Sequence, residues 1–161
     1  ATAEDAASLV KLGERLAKTD PFLVVSGFDP VTGADLIRSA IDDGTRTESS
    51  RIFVAANEIE LAGLAICRRH PAPERDSIVQ VDLGVDQKYR RRGLGNSLVH
   101  QVVDWARTAG AHRLQLAVVA ENDAAISLYE KHGFAIEGTL RQGFRLDARF
   151  YDVHVMARLL T

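Results

Sequence analysis

One cysteine, Cys67, occurs in 161 residues, and it lies inside the apolar run LAGLAIC. No disulfide can therefore form within the chain, and a cysteine-based metal site is excluded. Core packing is its expected role, and a thiol kept reduced fits a cytoplasmic protein. Long apolar runs are missing too. None approaches the ~18 residues of a membrane-spanning helix, and the first twenty residues carry charges throughout, unlike a secretory leader. A cytoplasmic protein without a membrane partner is expected. Nor is there an excess of charge of one sign. Twenty Lys and Arg face 22 Asp and Glu, for a formal net charge of -2, so the chain as a whole is no polycation for nucleic acid. The stretch KYRRR lacks the interleaved aromatics of a nucleic-acid surface. Any anion site must be local. His70, His100, His112 and His132 show no metal-ligand spacing, so no metal is expected. Repeats, low-complexity tracts and an initiator methionine are absent as well.

What is there reads as alternating helices and strands. Ala6, Leu9, Val10, Leu12 and Leu16 fall at mostly helical spacing over 3–18, and Asp20-Pro21 stops the helix. Leu36, Ile37, Ala40 and Ile41 suggest a second helix from Thr32 to Gly44, and DDGTRTESS (42–50) reads as a loop. Residues 51–56 and 59–69 suggest a hairpin turning at Asn57-Glu58. HPAPERD (70–76) is a Pro-rich loop, and 77–86 is a further strand. Leu94, Leu98, Val99, Val102, Val103 and Ala106 form one face of a helix ending at Gly110. A strand over 113–120 follows. A short helix over 122–132 comes next, with Asn122 as N-cap and Gly133 as stop. Residues 134–140 and 149–160 suggest two last strands, the second with Tyr151, Val153, Val155, Ala157 and Leu159 on one face. The expectation is one α/β domain over 1–161 with a mixed sheet.

The densest signal is VDQKYRRRGLGNSL (85–98), where three arginines meet two glycines before a helix. A strand, a tight glycine turn and a helix start make an anion site, because the first N–H groups of a helix point outward unpaired and the helix dipole adds positive charge. Gly93 and Gly95 let backbone approach a phosphate, and Arg90, Arg91 and Arg92 add charge-assisted donors. A P-loop, GxxxxGK[ST], appears nowhere, and the third glycine of a dinucleotide fingerprint is replaced by Leu98. A plain glycine turn carrying a solvated arginine run is the alternative.

The downstream sequence shifts the balance toward the anion site. R-x-x-G-x-G at Arg90, Gly93 and Gly95, after a strand ending VDLGV and before a helix, resembles the pyrophosphate loop of the GNAT family of N-acetyltransferases. ENDAAISLYEKHGF (121–134) resembles that family's second motif, N-x-x-A-x-x-x-Y-x-x-x-G-F. The ending, EGTLRQGFRLDARFYDVHVMARLL, is similar to the last hairpin of members that acetylate protein N-termini or polyamines. The resemblance covers 51–160. It implies a single-domain GNAT-like α/β fold, a mixed central sheet flanked by helices, with a splayed strand pair ending near Val85 and Val119 that binds acetyl-CoA as co-substrate. The family's usual opening strand has no room before the first helix here, so it lies upstream or the sheet is shorter.

Carried over residue by residue, the resemblance implies pantetheine contacts from the backbone of Leu83, Gly84 and Val85. It implies pyrophosphate contacts from Arg90, Arg91, Arg92, Gly93, Leu94, Gly95 and Asn96. Asn122 matches the asparagine that contacts pantetheine, beside its reading as a plain N-cap. Tyr129 matches the tyrosine beside the thioester sulfur, where a phenol of pKa about 10 donates to the departing thiolate; spacing alone would place it in the core. The strand before the loop, IVQVDLGV, offers only Asp82 as base or water-orienting residue, and an ordinary polar residue on a sheet face is the other reading. Glu121 and Glu137 are weaker candidates. Asp152 and His154 read as substrate contacts or as a hydrogen-bonded pair. The implied activity is direct acetyl transfer to a primary amine in a ternary complex, with a non-catalytic CoA-binding or sensing module as the alternative. The acceptor, a small molecule or a protein N-terminus, is not legible, and the last strands are the candidate surface for a homodimer.

Overall fold

The computed structural model describes residues 1–20, 41 and 49–160. Most of the expected second helix and of the loop after it lies outside these residues; Ile41 is helical and buried. The described elements are α1 (Ala6–Thr19), β1 (Ser50–Ala56), β2 (Leu61–Arg69), β3 (Ile78–Val85), α2 (Leu94–Thr108), β4 (Arg113–Val119), α3 (Asp123–Lys131), β5 (Ala135–Leu146) and β6 (Arg149–Leu159). They build one six-stranded mixed sheet in the order β1-β2-β3-β4-β6-β5. Only β3 and β4 run parallel; the other neighbours are antiparallel. Among the described residues no helix is long and apolar enough to cross a membrane.

Two apolar clusters cover the two faces. Ala6, Leu9, Leu12 and Leu16 of α1 pack on Ile52, Leu64 and Ile66. Leu98, Val99, Val102 and Val103 of α2 pack on Ala65, Cys67, Val79 and Val81, with Tyr129 and Phe134 in the same cluster. Strand β2 supplies both clusters, which is why LAGLAIC is apolar without alternation. Each fully buried leucine contributes roughly 1.5–3 kcal/mol, so α1 is held by its stripe rather than by its polar residues.

Three expectations are corrected. Ile59 is not in a strand: it is 90% exposed in a turn where the Asn57 side chain accepts from the N–H groups of Ile59 and Glu60. The fifth strand runs on to Leu146, past an irregularity between Leu140 and Phe144 where Gln142 has a φ of 53°. Bulged residues break the alternation that would reveal a strand. The last strand does not bury a single face. Val153 and Ala157 are buried, but Leu159 is 56% exposed and Met156, of opposite parity, is fully buried in the α2 cluster.

Burial also raises the Cys67 thiol far above its ordinary value, with the Asp82 charge adding to it, and burial does the same to the Tyr129 phenol. A group with a raised folded pKa holds its full stabilisation below its unfolded pKa and loses it as pH rises. Urea-unfolding free energy is therefore expected to fall from about pH 8.5, where an unfolded thiol ionises, and more steeply above about pH 10, at roughly 1.4 kcal/mol per pH unit and group. In Cys67→Ala the first of these two declines should be missing; a wild-type stability flat from pH 8 to 11 contradicts this.

Candidate active site

Strands β3 and β4 pair only from Ile78 to Gln80 against Arg113 to Gln115. Beyond these residues the strands part, although β3 continues to Val85 and β4 to Val119. A cavity of about 550 Å³ fills the opening. Val81 through Val85 form one wall, Ala117 through Val119 another, and the start of α2 and one side of α3 close the ends. On its other edge β3 remains paired with β2 along Val79 to Val85. The edge facing the cavity thus offers peptide groups that, among the described residues, no neighbouring strand of the sheet takes up, which suits an extended ligand arm.

The end of β3 leads into a 3-10 turn (Gln87–Tyr89), the arginines and α2. Gly93 is the N-cap of α2 at a φ of 83°, a left-handed conformation that glycine adopts without cost. Among the described residues no side chain caps this end, the first turn carries no acidic residue, and a Cβ at Gly93 would meet nothing within 4 Å. The first N–H groups of α2 are thereby left to an anion. Gly95 serves a different need. A Cβ there would stand 3.0 Å from Cδ2 of Leu128, so this glycine sets the close approach of α2 and α3.

The three arginines divide. Arg90 donates from Nε to the Val85 carbonyl at 3.0 Å and from Nη2 to Asp20 at 2.8 Å. Arg91 lines the cavity at a φ of 59°. Arg92 turns its guanidinium onto the Tyr89 ring, 5.5 Å from the centroid. Among the expected cofactor residues, Leu83, Gly84, Val85, Arg90, Arg91, Gly93, Leu94, Gly95, Asn96 and Asn122 all line the cavity, and Arg92 does not. Asn122 caps α3, accepting from the Ala125 N–H at 3.2 Å, while also facing the cavity. Asn96 is shared, its Oδ1 lying 3.2 Å from Nε2 of His132.

Tyr129 and Asp82 are brought together from opposite faces. Val79 and Val81 point into the α2 cluster, so Asp82, one residue on, stands on the α1 face. Tyr129 belongs to the α2 cluster and packs against Phe134 at 5.8 Å. Both reach the opening between β3 and β4. Tyr129 is 7% exposed and Asp82 3%. Burial first, then the charges of Asp82 and Asp20, push the phenol pKa up, so Tyr129 is protonated throughout the neutral range. Asp82 is paired with the Arg68 guanidinium. The weaker candidates are elsewhere: Glu137 pairs with Arg113 and Glu121 with Arg149. Asp152 and His154 do not bond each other; Asp152 accepts from the Gln142 N–H, and His154 pairs with Thr139 across to β5. Asp20 was legible only as a helix stop before proline, yet it lines the cavity and holds Arg90.

The sequence model of the acetyltransferase (GNAT) family matches residues 21–134. The chain belongs to the GNAT acetyltransferase family. Acetyl transfer is that family's chemistry, and the open strand pair is where the two motifs of this GNAT chain converge. A GNAT acetyltransferase of Streptococcus pneumoniae superposes with a TM-score of 0.88 at 26% identity, covering 100% of this chain and 96% of that one. The L-amino acid N-acetyltransferase AaaT of Escherichia coli is 30% identical over 91 residues, 54% of either protein. A ribosomal protein bS18-alanine N-acetyltransferase of Salmonella typhimurium is 39% identical over 83 residues, 51% of this chain and 55% of that protein. This GNAT chain thus matches about half the length of each of these two relatives.

Proposed function

We propose that this protein, as one N-acetyltransferase domain over 1–161, moves the acetyl group of acetyl-CoA to a primary amine by direct attack in a ternary complex. The observation that carries this reading is the parting of β3 and β4 after Gln80, with Tyr129 and Asp82 both lining the gap and, among the described residues, an uncapped helix start at its end. The backbone of Leu83, Gly84 and Val85 would hold the pantetheine arm as an added strand, with Asn122 beside it. The N–H groups from Arg91 through Asn96 would hold the pyrophosphate, with Arg90 and Arg91 as side-chain donors and Arg92 after leaving Tyr89. When bound, acetyl-CoA supplies an acetyl group activated as a thioester.

The residues do the rest. Asp82, directly or through a water, takes the proton that makes the acceptor ammonium a nucleophilic amine. The C–N bond then forms as the C–S bond breaks; the protonated Tyr129 phenol donates to the departing sulfur, and the proton that the new amide nitrogen sheds returns through water to the phenolate. A phenol kept neutral by burial is in the right state for this at any pH below about 10. The two relatives above are named for an amino acid and for a protein alanine, and an α-amine acceptor is common to both. Residence is cytoplasmic. The exposed β5–β6 hairpin, with Ile136, Leu140 and Phe150 on its surface, is the face offered for a homodimer.

Calorimetric titration tests the core of this reading. Saturable binding of acetyl-CoA, with desulfo-CoA bound and ATP not, is the expected result, followed by turnover in a screen of amines. A folded protein that binds no acetyl-CoA rejects the phosphate-loop assignment and the enzyme with it. Binding without turnover of any amine favours a CoA sensor.

A further inference from the structure

A polar network that starts outside the cavity, at Arg15, Glu60 and Asp86, ties α1 to the loop that follows β3. Among the described residues the Arg15 guanidinium has three partners: Nε donates to Oδ2 of Asp86 at 2.7 Å, Nη2 to the Leu61 carbonyl at 2.6 Å, and Nη1 lies 3.3 Å from Oε2 of Glu60. Asp86 is buried, the residue at which the chain leaves β3. Its own N–H donates to the Ala62 carbonyl at 2.9 Å, and its Oδ1 accepts from the Lys88 N–H at 3.1 Å, capping the 3-10 turn. Glu60 carries the connection further: its Oε1 accepts from the Tyr89 hydroxyl at 2.9 Å. The Tyr89 ring in turn lies under Arg92. A second tie runs from Asp20, just past the end of α1, to Arg90.

Leu9, Leu12 and Leu16 already bury α1 against the sheet, and these polar contacts reach beyond that face to the turn. A buried carboxylate bonded to a guanidinium fork and to a backbone N–H fixes the turn's direction, and a fork is more directional than a lysine. Burial pushes the Asp86 carboxyl up, but the bonds from Arg15 and the Lys88 N–H outweigh it, so the carboxyl is held below its ordinary value and stays charged. Only four residues separate Tyr89 from α2, so the orientation of the turn is passed to Gly93 and the uncapped N–H groups.

We propose that Arg15, acting through Asp86 and through Glu60 and Tyr89, is a positioning residue that presets the 87–93 loop for the cofactor's pyrophosphate. This rests on the acetyl-CoA reading above. The prediction is a split in the kinetics. Arg15→Gln should weaken acetyl-CoA binding, measured by calorimetry without amine, by about tenfold. The acetyl-CoA KM should rise in parallel, with kcat at saturation and the amine KM within about twofold of wild type. Tyr89→Phe, which removes only the hydroxyl bond to Glu60, should weaken binding by about threefold.

Unchanged acetyl-CoA affinity in folded Arg15→Gln overturns the proposal. So does a rise of both KM values together with a lowered thermal midpoint, which describes general loosening. Should Arg15→Gln fail to fold, Tyr89→Phe decides alone, and an unchanged affinity there rejects the proposal. Wild-type protein that binds no acetyl-CoA removes the underlying reading as well, and is told apart because every variant then behaves alike.

Discussion

Tyr129→Phe is expected to lower kcat by about 10²- to 10⁴-fold, the range that one positioned proton donor supplies, while acetyl-CoA affinity stays within about twofold of wild type. The substitution deletes one oxygen and leaves the ring where it is, against Phe134 and within the apolar cluster under α2. Packing is therefore conserved, and stability should barely move. What is lost is the group that meets the departing thiolate. Burial and the charges of Asp82 and Asp20 keep that phenol protonated, so it acts as a donor and not as a base. Steady-state kinetics and calorimetry on the same preparation check both halves. Turnover within about threefold of wild type would mean that the tyrosine is a core residue and that water or the acceptor protonates the sulfur. Equal loss of binding and turnover would mean that it shapes the cavity.

The sequence and the structure differ in instructive places. Hydrophobic spacing located α1 and α2, because each buries one stripe against a sheet face. The glycine at 93 was legible as a tight turn before a helix, and the structure adds the left-handed backbone that glycine allows there. Gly95 was legible as glycine but not for its reason, since contact with Leu128 is made across 33 residues of chain. The parting of β3 and β4 leaves no periodicity behind; only the resemblance of the two motifs to a family implied it. Asp20 and Arg15 escaped notice for a related cause. Arg15 is an ordinary polar residue of an amphipathic helix and Asp20 the residue that ends it, and the partner of each lies about 70 residues away. Side-chain pairing at that range has no local signal. The bulge between Leu140 and Phe144 escaped because an extra residue shifts the alternation by which strands are read.

Asp82 sits at the point where a structural and a chemical role are hardest to tell apart, and Asp82→Asn separates them. Its carboxylate is buried, paired with Arg68, and close enough to Tyr129 for its charge to act on the phenol. As a mere counter-ion it would matter to folding: the variant would lose stability, and Arg68, itself about two-fifths exposed, would turn to water. As the base it would matter to rate, and to the pH dependence of rate. Protonation of a carboxylate base at low pH removes it, so wild-type kcat/KM for the amine should fall as pH falls through that titration. In Asp82→Asn the carboxylate limb should be gone, leaving the slope of the acceptor's own deprotonation at a level about 10²-fold lower. Acetyl-CoA binding should be retained, since Asp82 faces the α1 side of the sheet, away from the apolar wall that Val81 and Leu83 present under α2. A pH profile of unchanged shape and near wild-type height, on a protein with a lowered unfolding midpoint, would assign Asp82 to Arg68 and leave the base to a water held elsewhere in the cavity. The shape of the profile decides the question because stability and rate can fall together in any damaged enzyme, whereas a missing titration limb requires that the titrating group took part in the reaction.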